Sequence, residues 1–126
     1  MAVLVDSSLW VHQLRRGGNP AKRSRVNVLL EQGEAAWCPV VRLELWRGVN
    51  NDAERKTLRR YESVLPDYEI SADVWERAIQ LADRGRAAGV TTPLADLLIY
   101  ACARVHGLEV AHDDPHFDEL AKIDTE

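Results

Sequence analysis

Short β-branched runs alternate along this chain with stretches of helical spacing, and each change of pattern is marked by Gly, Pro or a capping residue. Val3–Val5 fits a buried parallel strand, and Ser7-Ser8-Leu9-Trp10 then supplies capping hydroxyls followed by apolar spacing through Leu14, which predicts a helix. Gly17-Gly18-Asn19-Pro20 breaks it, and Val26, Leu29 and Leu30 mark a second helix closed by Gln32-Gly33-Glu34. Residues 35–38 read as a second strand. After Pro39, the spacing of Val40, Val41, Leu43, Leu45 and Trp46 predicts a short helix stopped at Gly48, with Glu44 near its start. Residues 51–65 are polar and helical, 68–70 are compatible with a third strand, and Ser71 caps a helix running to Gly89. Thr92-Pro93 opens the most apolar helix, with 97–103 apolar on every side and Asp96 in its first turn. Gly107 ends that helix, 108–111 form a last strand, and Asp113-Asp114-Pro115 stand at its tip. Such alternation predicts an α/β fold, with a mainly parallel sheet covered by helices on both faces.

A chain of 126 residues that is 46% hydrophobic has the size and core of one domain, 1–126. Its longest apolar stretch, 97–103, is too short to span a bilayer, and the N-terminal apolar run meets Asp6 without a basic leader, so a soluble cytoplasmic protein with no membrane partner is expected. Cys38 and Cys102 lie far apart, outside any Cys-x-x-Cys or Cys-x-x-His spacing, and read as small core residues. The net charge of −4 divides unevenly. Residues 1–60 carry 11 basic and 6 acidic side chains, whereas 61–126 carry 5 and 14. Arg15, Arg16, Lys22, Arg23 and Arg25, with Arg55, Lys56, Arg59 and Arg60, fit solvated helix faces one by one; as a set they offer a phosphate-contacting rim.

Four acids carry the candidate chemistry. Asp6, Glu44, Asp96 and Asp114 each follow an apolar run where a strand ends or a helix begins, which is where open α/β sheets gather their ligands. Singly, Asp6 reads as a helix cap, Glu44 as a solvated helix residue, and Asp113 or Asp114 as a turn residue or helix cap. Asp96 stands apart, since it borders an apolar surface where an unpaired carboxylate is expensive. Right-handed crossovers bring all four to one sheet edge, where their repulsion calls for protons or a cation. Mg²⁺ or Mn²⁺ suits such oxygen donors and would activate water for attack on a phosphodiester. His112 and His116 stand four apart, but Pro115 interrupts the helix that a transition-metal pair would need, so a loop-surface role is expected. His12 and His106 have no evident partners. A phosphotransferase is disfavoured because Asp6-Ser7-Ser8 lacks a second acid two residues on.

Val-Leu-Val-Asp6-Ser7-Ser8-Leu-Trp, Arg-Leu-Glu44-Leu-Trp-Arg-Gly48, Ala-Asp96-Leu-Leu-Ile-Tyr-Ala and His-Asp-Asp114-Pro-His-Phe117 together resemble the successive motifs of PIN-domain ribonucleases, in particular VapC toxins of type II toxin–antitoxin pairs. The resemblance covers nearly the whole chain, in order. It implies a three-layer α/β/α sandwich in which Asp6, Glu44, Asp96 and Asp114 bind one or two Mg²⁺ or Mn²⁺ ions and cut RNA. By position it makes Ser8 a small polar residue orienting Asp6 or its water. Asp113 competes with Asp114 for the fourth place, with Asp114 favoured by its spacing to Phe117, and His116 stands where many members carry an acid. In-line attack by an activated water would leave a 5′-phosphate and a 3′-hydroxyl. The resemblance further implies a homodimer, structured RNA such as tRNA or rRNA as substrate, and inhibition by a cognate antitoxin, for which Trp10 and Trp46 are candidate anchors as well as candidate core. The competing reading is a noncatalytic α/β module that binds RNA or protein through its basic half.

Overall fold

A computed structural model describes residues 1–124; the last two residues of the expected 1–126 domain lie outside the described residues. Three short parallel strands form the sheet in the order β2-β1-β3, with β1 (Val3–Val5) central, β2 (Ala35–Ala36) on one side and β3 (Glu109–Ala111) on the other. Val3 and Leu4 stand opposite Ala35 and Ala36, while Val3, Leu4 and Val5 stand opposite Glu109, Val110 and Ala111. The register continues past the strand end, where the Asp6 amide donates to the Ala111 carbonyl at 2.9 Å. A strand hydrogen-bonded on both sides has apolar residues on both faces, which is why Leu4 and Val5 are wholly buried.

Seven helices pack around this sheet: α1 (Ser7–Leu14), α2 (Pro20–Glu31), α3 (Pro39–Arg47), α4 (Asp52–Val64), α5 (Ala72–Ala88), α6 (Leu94–His106) and α7 (Pro115–Ile123). The result is the α/β/α arrangement expected. α1 packs on α2 and α3, while α6 packs on α3, α5 and α7. Local chemistry fixes the ends. Pro20, Pro39 and Pro115 occupy first turns, and the side chains of Asp6, Asn19, Asn51, Ser71 and Asp114 accept amides there. Gly89 and Gly107 close α5 and α6 at φ 73° and 70°, in the left-handed region that a Cβ disfavours.

Several expectations are corrected. Residues 68–70 form no strand: one parallel bridge joins Trp37 to Asp67, and beyond it the Tyr68 and Glu69 carbonyls are engaged by α6 side chains. Cys102 Sγ donates to Tyr68 at 3.5 Å, and His106 Nε2 lies 3.0 Å from the Glu69 carbonyl. Strand two is shorter than 35–38, because Cys38 already stands at the start of α3. Of the two readings of Asp113-Asp114-Pro115, turn and helix cap, the structure takes the second: Asp114 caps α7, which buries Phe117 and Leu120. Trp10 is no docking anchor. It is wholly buried against Trp37 and Tyr61, with Nε1 donating to the Val5 carbonyl at 2.9 Å. Trp46 is half-buried and donates to Glu62 at 3.0 Å. Both cysteines are buried and unpaired, and no helix among the described residues is long and apolar enough to cross a membrane.

Beyond α7 the chain is fastened by one carboxylate. Asp124 accepts from Arg77 at 3.0 Å, Arg104 at 2.9 Å and Tyr100 at 3.0 Å, with Arg84 at 3.8 Å. Burial pushes its carboxyl up, but the Tyr100 and Arg77 hydrogen bonds and the guanidinium charges outweigh that and hold it below the ordinary range. The reverse holds for Tyr100, whose phenol is pushed up to about 12 by burial and by Asp124. A depressed carboxylate stabilises the fold above its unfolded pKa and ceases to do so as pH falls through the folded value. Asp124→Asn should therefore cost about 2 kcal/mol at neutral pH, with the difference from wild type in urea midpoint closing as the solution is acidified below about pH 4. A difference that persisted undiminished at low pH would show that shape, not charge, fastens the terminus.

Candidate active site

The centre of the sheet delivers Asp6 to the tip of β1, where the chain turns into α1. Asp6 caps that helix: its Oδ2 accepts from the Ser8 amide at 3.0 Å. The residue is 2% exposed, and its Oδ1 is buried with no hydrogen-bond partner. A buried carboxylate oxygen left unpaired costs free energy unless something positive is placed against it.

The packing of α1 on α3 brings Glu44 to the same end. It is the sixth residue of α3, more than a turn beyond the helix start expected for it. Ser7 Oγ donates to Glu44 Oε1 at 2.9 Å. Sequence reasoning missed Ser7 because a hydroxyl next to a helix cap is unremarkable until the partner helix is known. Asp96 is 7% exposed in the first turn of α6, where the helix dipole favours a negative charge. Asp114 caps α7, accepting the His116 amide at 2.9 Å.

His116 joins the last two acids. Its Nδ1 lies 2.8 Å from Asp96 Oδ2 and 2.9 Å from Asp114 Oδ1. The loop-surface role expected for this histidine is thereby corrected: Pro115 does not interrupt a helix but starts one, and α7 carries His116 into the acids. His112 stays outside. Its Nδ1 accepts the Asp114 amide at 3.2 Å, and its ring lies against Phe117. His12 Nδ1 accepts the Asn19 amide.

The competing fourth acid is turned elsewhere. Asp113 is exposed and paired with Lys22, which holds its carboxyl below the usual range. Its amide donates to Ser8 Oγ at 2.9 Å. The Ser8 hydroxyl thus fastens the loop after β3, and Ser8 touches Asp6 only through its backbone amide.

Electrostatics tie the acids together across the elements. Burial pushes the Glu44 carboxyl up, and the charges of Asp6 and Asp96 push the same way against the Ser7 hydrogen bond and Arg47. Burial likewise raises Asp96; His116 opposes it, while Asp114 and Asp6 add to it. The His116 imidazole is raised by its hydrogen bond to Asp96 and by the Asp114 and Asp96 charges. Ligand atoms of Asp96, Asp114 and His116 all lie within 4.8 Å of one another. Asp6 and Glu44 stand beside that group rather than inside it. From Glu44 a cleft runs between α1 and α3, lined by Ser7, Arg15, Arg47 and Glu54, and Arg15 also lines the adjoining cleft with Arg16 and Arg23. This brings part of the expected basic rim to the acids.

The family model described as PIN domain matches residues 3–123. The chain is 31% identical over 124 residues to Ribonuclease VapC11 of Mycobacterium tuberculosis, covering 96% of this chain and 92% of that one. With Ribonuclease VapC21 of the same organism it shares 35% over 109 residues, covering 82% and 78%. Among solved structures, VapBC2 from Rickettsia felis, bound to a DNA fragment from its promoter, superposes with a TM-score of 0.77 at 15% identity over 98% of this chain and 94% of that one. Mycobacterium tuberculosis VapC20, a Sarcin-Ricin loop cleaving toxin, does so at 0.71 and 20%, covering 94% of each. At these identities the structures are alike in fold.

A carboxyl whose folded pKa is raised stabilises the fold fully below its unfolded pKa and loses that contribution as pH rises through the folded value. The metal-free protein should therefore lose stability between about pH 4 and neutrality on account of Glu44 and Asp96. Glu44→Gln should raise its melting temperature by a few degrees at pH 7 in EDTA and flatten that decline. An unchanged or lower midpoint would mean that the Ser7 hydrogen bond outweighs burial.

Proposed function

The chain belongs to the PIN-domain family, as a VapC-type ribonuclease, and from that membership we propose that Asp6, Glu44, Asp96 and Asp114 form a Mg²⁺ centre for endonucleolytic hydrolysis of RNA, with Mn²⁺ able to substitute. PIN nucleases generally use a divalent metal. The observation that carries this residue assignment is the buried, unpartnered Oδ1 of Asp6 at the tip of the central strand, beside carboxyls whose charges oppose one another. The four carboxylates suit a hard cation, and a site whose acids resist ionisation together has the electrostatics a cation relieves.

When bound, the ion lowers the pKa of a water and neutralises charge developing on phosphorus and on the leaving oxygen. The protein's own groups do the rest. Asp6 and Asp96, each held at an element end, would hold the ion and so set where it meets the phosphate. Glu44 is oriented through Oε1 by Ser7, which leaves Oε2 to take the proton of the attacking water, a task suited to a carboxyl of raised pKa. Arg47 and Arg15 flank the cleft at Glu44 and receive adjoining phosphates. No 2′-hydroxyl is needed, so the products carry 5′-phosphate and 3′-hydroxyl ends.

One domain, 1–126, acts in the cytoplasm as the toxin of a toxin–antitoxin pair. It forms a homodimer, is inhibited by a cognate antitoxin and cuts structured RNA. Support comes from the relatives, which include a cleaver of the Sarcin-Ricin loop and a VapBC complex with promoter DNA.

The test is cleavage of end-labelled total RNA by the antitoxin-free protein in Mg²⁺, Mn²⁺ or EDTA, beside Asp96→Asn and Glu44→Gln purified identically. Metal-dependent cuts weakened by about two orders of magnitude or more in both variants are expected. Cutting that survives both substitutions, or ends in a 2′,3′-cyclic phosphate, would overturn the assignment.

A further inference from the structure

His116 is unusual company for hard-cation carboxylates, and its geometry suits a ligand. Donor atoms adjacent in an octahedral shell around a small divalent ion stand roughly 3 Å apart, since each lies about 2.1 Å from the metal. Nδ1 of His116 stands 2.8 Å from Asp96 Oδ2 and 2.9 Å from Asp114 Oδ1, so it is spaced from each carboxylate as a neighbour in such a shell, and ligand atoms of all three residues lie within 4.8 Å of one another. Asp6 gives independent support, because its Oδ1 is buried and unpaired while its charge acts on Asp96.

We infer that His116 Nδ1 is a nitrogen ligand of the metal centre and raises its affinity for Mn²⁺ and other first-row transition ions relative to Mg²⁺. This deepens the metal-centre reading above and rests on it. Imidazole nitrogen binds Mn²⁺, Co²⁺ and Zn²⁺ readily, whereas Mg²⁺ prefers oxygen and keeps its waters. With its proton on Nε2, the ring presents the Nδ1 lone pair to the space between the two carboxylates. α7 fixes this arrangement: Asp114 caps the helix by accepting the amide of His116, so one residue's backbone and ring engage the same carboxylate.

The experiment uses the full chain, wild type and His116→Gln, with Asp6→Asn as the control for the centre itself. Dissociation constants for Mn²⁺ and Mg²⁺ are read by titration calorimetry and by metal-induced shift of the melting temperature, and Mn²⁺-loaded samples are examined by pulsed EPR for coupling to ¹⁴N. The inference expects the ratio of Mn²⁺ to Mg²⁺ affinity to fall at least about tenfold in His116→Gln while Mg²⁺ affinity changes little. It also expects a single nitrogen coupling that disappears in the variant. An unchanged ratio without nitrogen coupling would overturn it, leaving His116 as a counter-ion to the acids. Should neither ion bind wild type better than Asp6→Asn, the metal-centre reading falls, and this inference with it. His116→Asp adds a second check: an oxygen donor there should keep Mg²⁺ binding without restoring the Mn²⁺ preference.

Discussion

Repulsion among carboxylates that cannot reach bulk water is the constraint around which this molecule is organised. Asp6 and Asp96 are almost fully buried, and Glu44 is pushed toward protonation by its own burial and then by the charges of both. Each acid is held by a separate device: a strand tip that becomes a cap for Asp6, a serine hydroxyl for Glu44, a helix dipole and an imidazole for Asp96, and a capping amide for Asp114. None of these devices neutralises the set. They fix the positions of the oxygens and leave the excess charge for something else to meet, which is the condition of a preorganised electrostatic site.

Rigid support comes from elements that are short but doubly anchored. β1 has only three residues, yet it is paired on both sides and backed by Trp10, whose indole returns a hydrogen bond to Val5 immediately before Asp6. On the opposite flank, α6 carries Asp96 on a helix whose next turns are buried among α3, α5 and α7. The fully buried aromatic and aliphatic side chains around β1 contribute roughly 2–3 kcal/mol each, enough to hold several charges in places they would otherwise leave.

Much of this was legible in the sequence, because the decisive signals are local. Val3–Val5 ending at Asp6, Pro39 and Gly48 bounding α3, Ser71 and Gly89 bounding α5, and Gly107 ending α6 all reflect steric and hydrogen-bonding rules that act within a few residues. What escaped depends on partners distant in sequence. Ser7 meets Glu44 37 positions away, and Asp113 meets Lys22 91 away. Residues 68–70 have strand-forming side chains, but the bonds their backbone makes are set by Cys102 and His106 on α6. Trp10 followed a strand tip and so resembled a surface aromatic, whereas the core beneath it is built from Trp37 and Tyr61. The start of α7 is marked by its Asp-Pro pair, but a turn and a helix cap share that signal, and the burial of Phe117 and Leu120 separates them.

The strand order β2-β1-β3 also has a consequence for biosynthesis. The first strand made is the middle one, and its second neighbour is Glu109–Ala111, more than a hundred residues later. A nascent chain that has not yet released that segment from the ribosome leaves one edge of β1 open, with Asp114 not yet beside Asp96. Long-range parallel pairing of this kind forms late because the intervening loop must be closed first. The sheet that carries Asp6 at its centre is therefore completed only after its third strand has left the ribosome, late in translation.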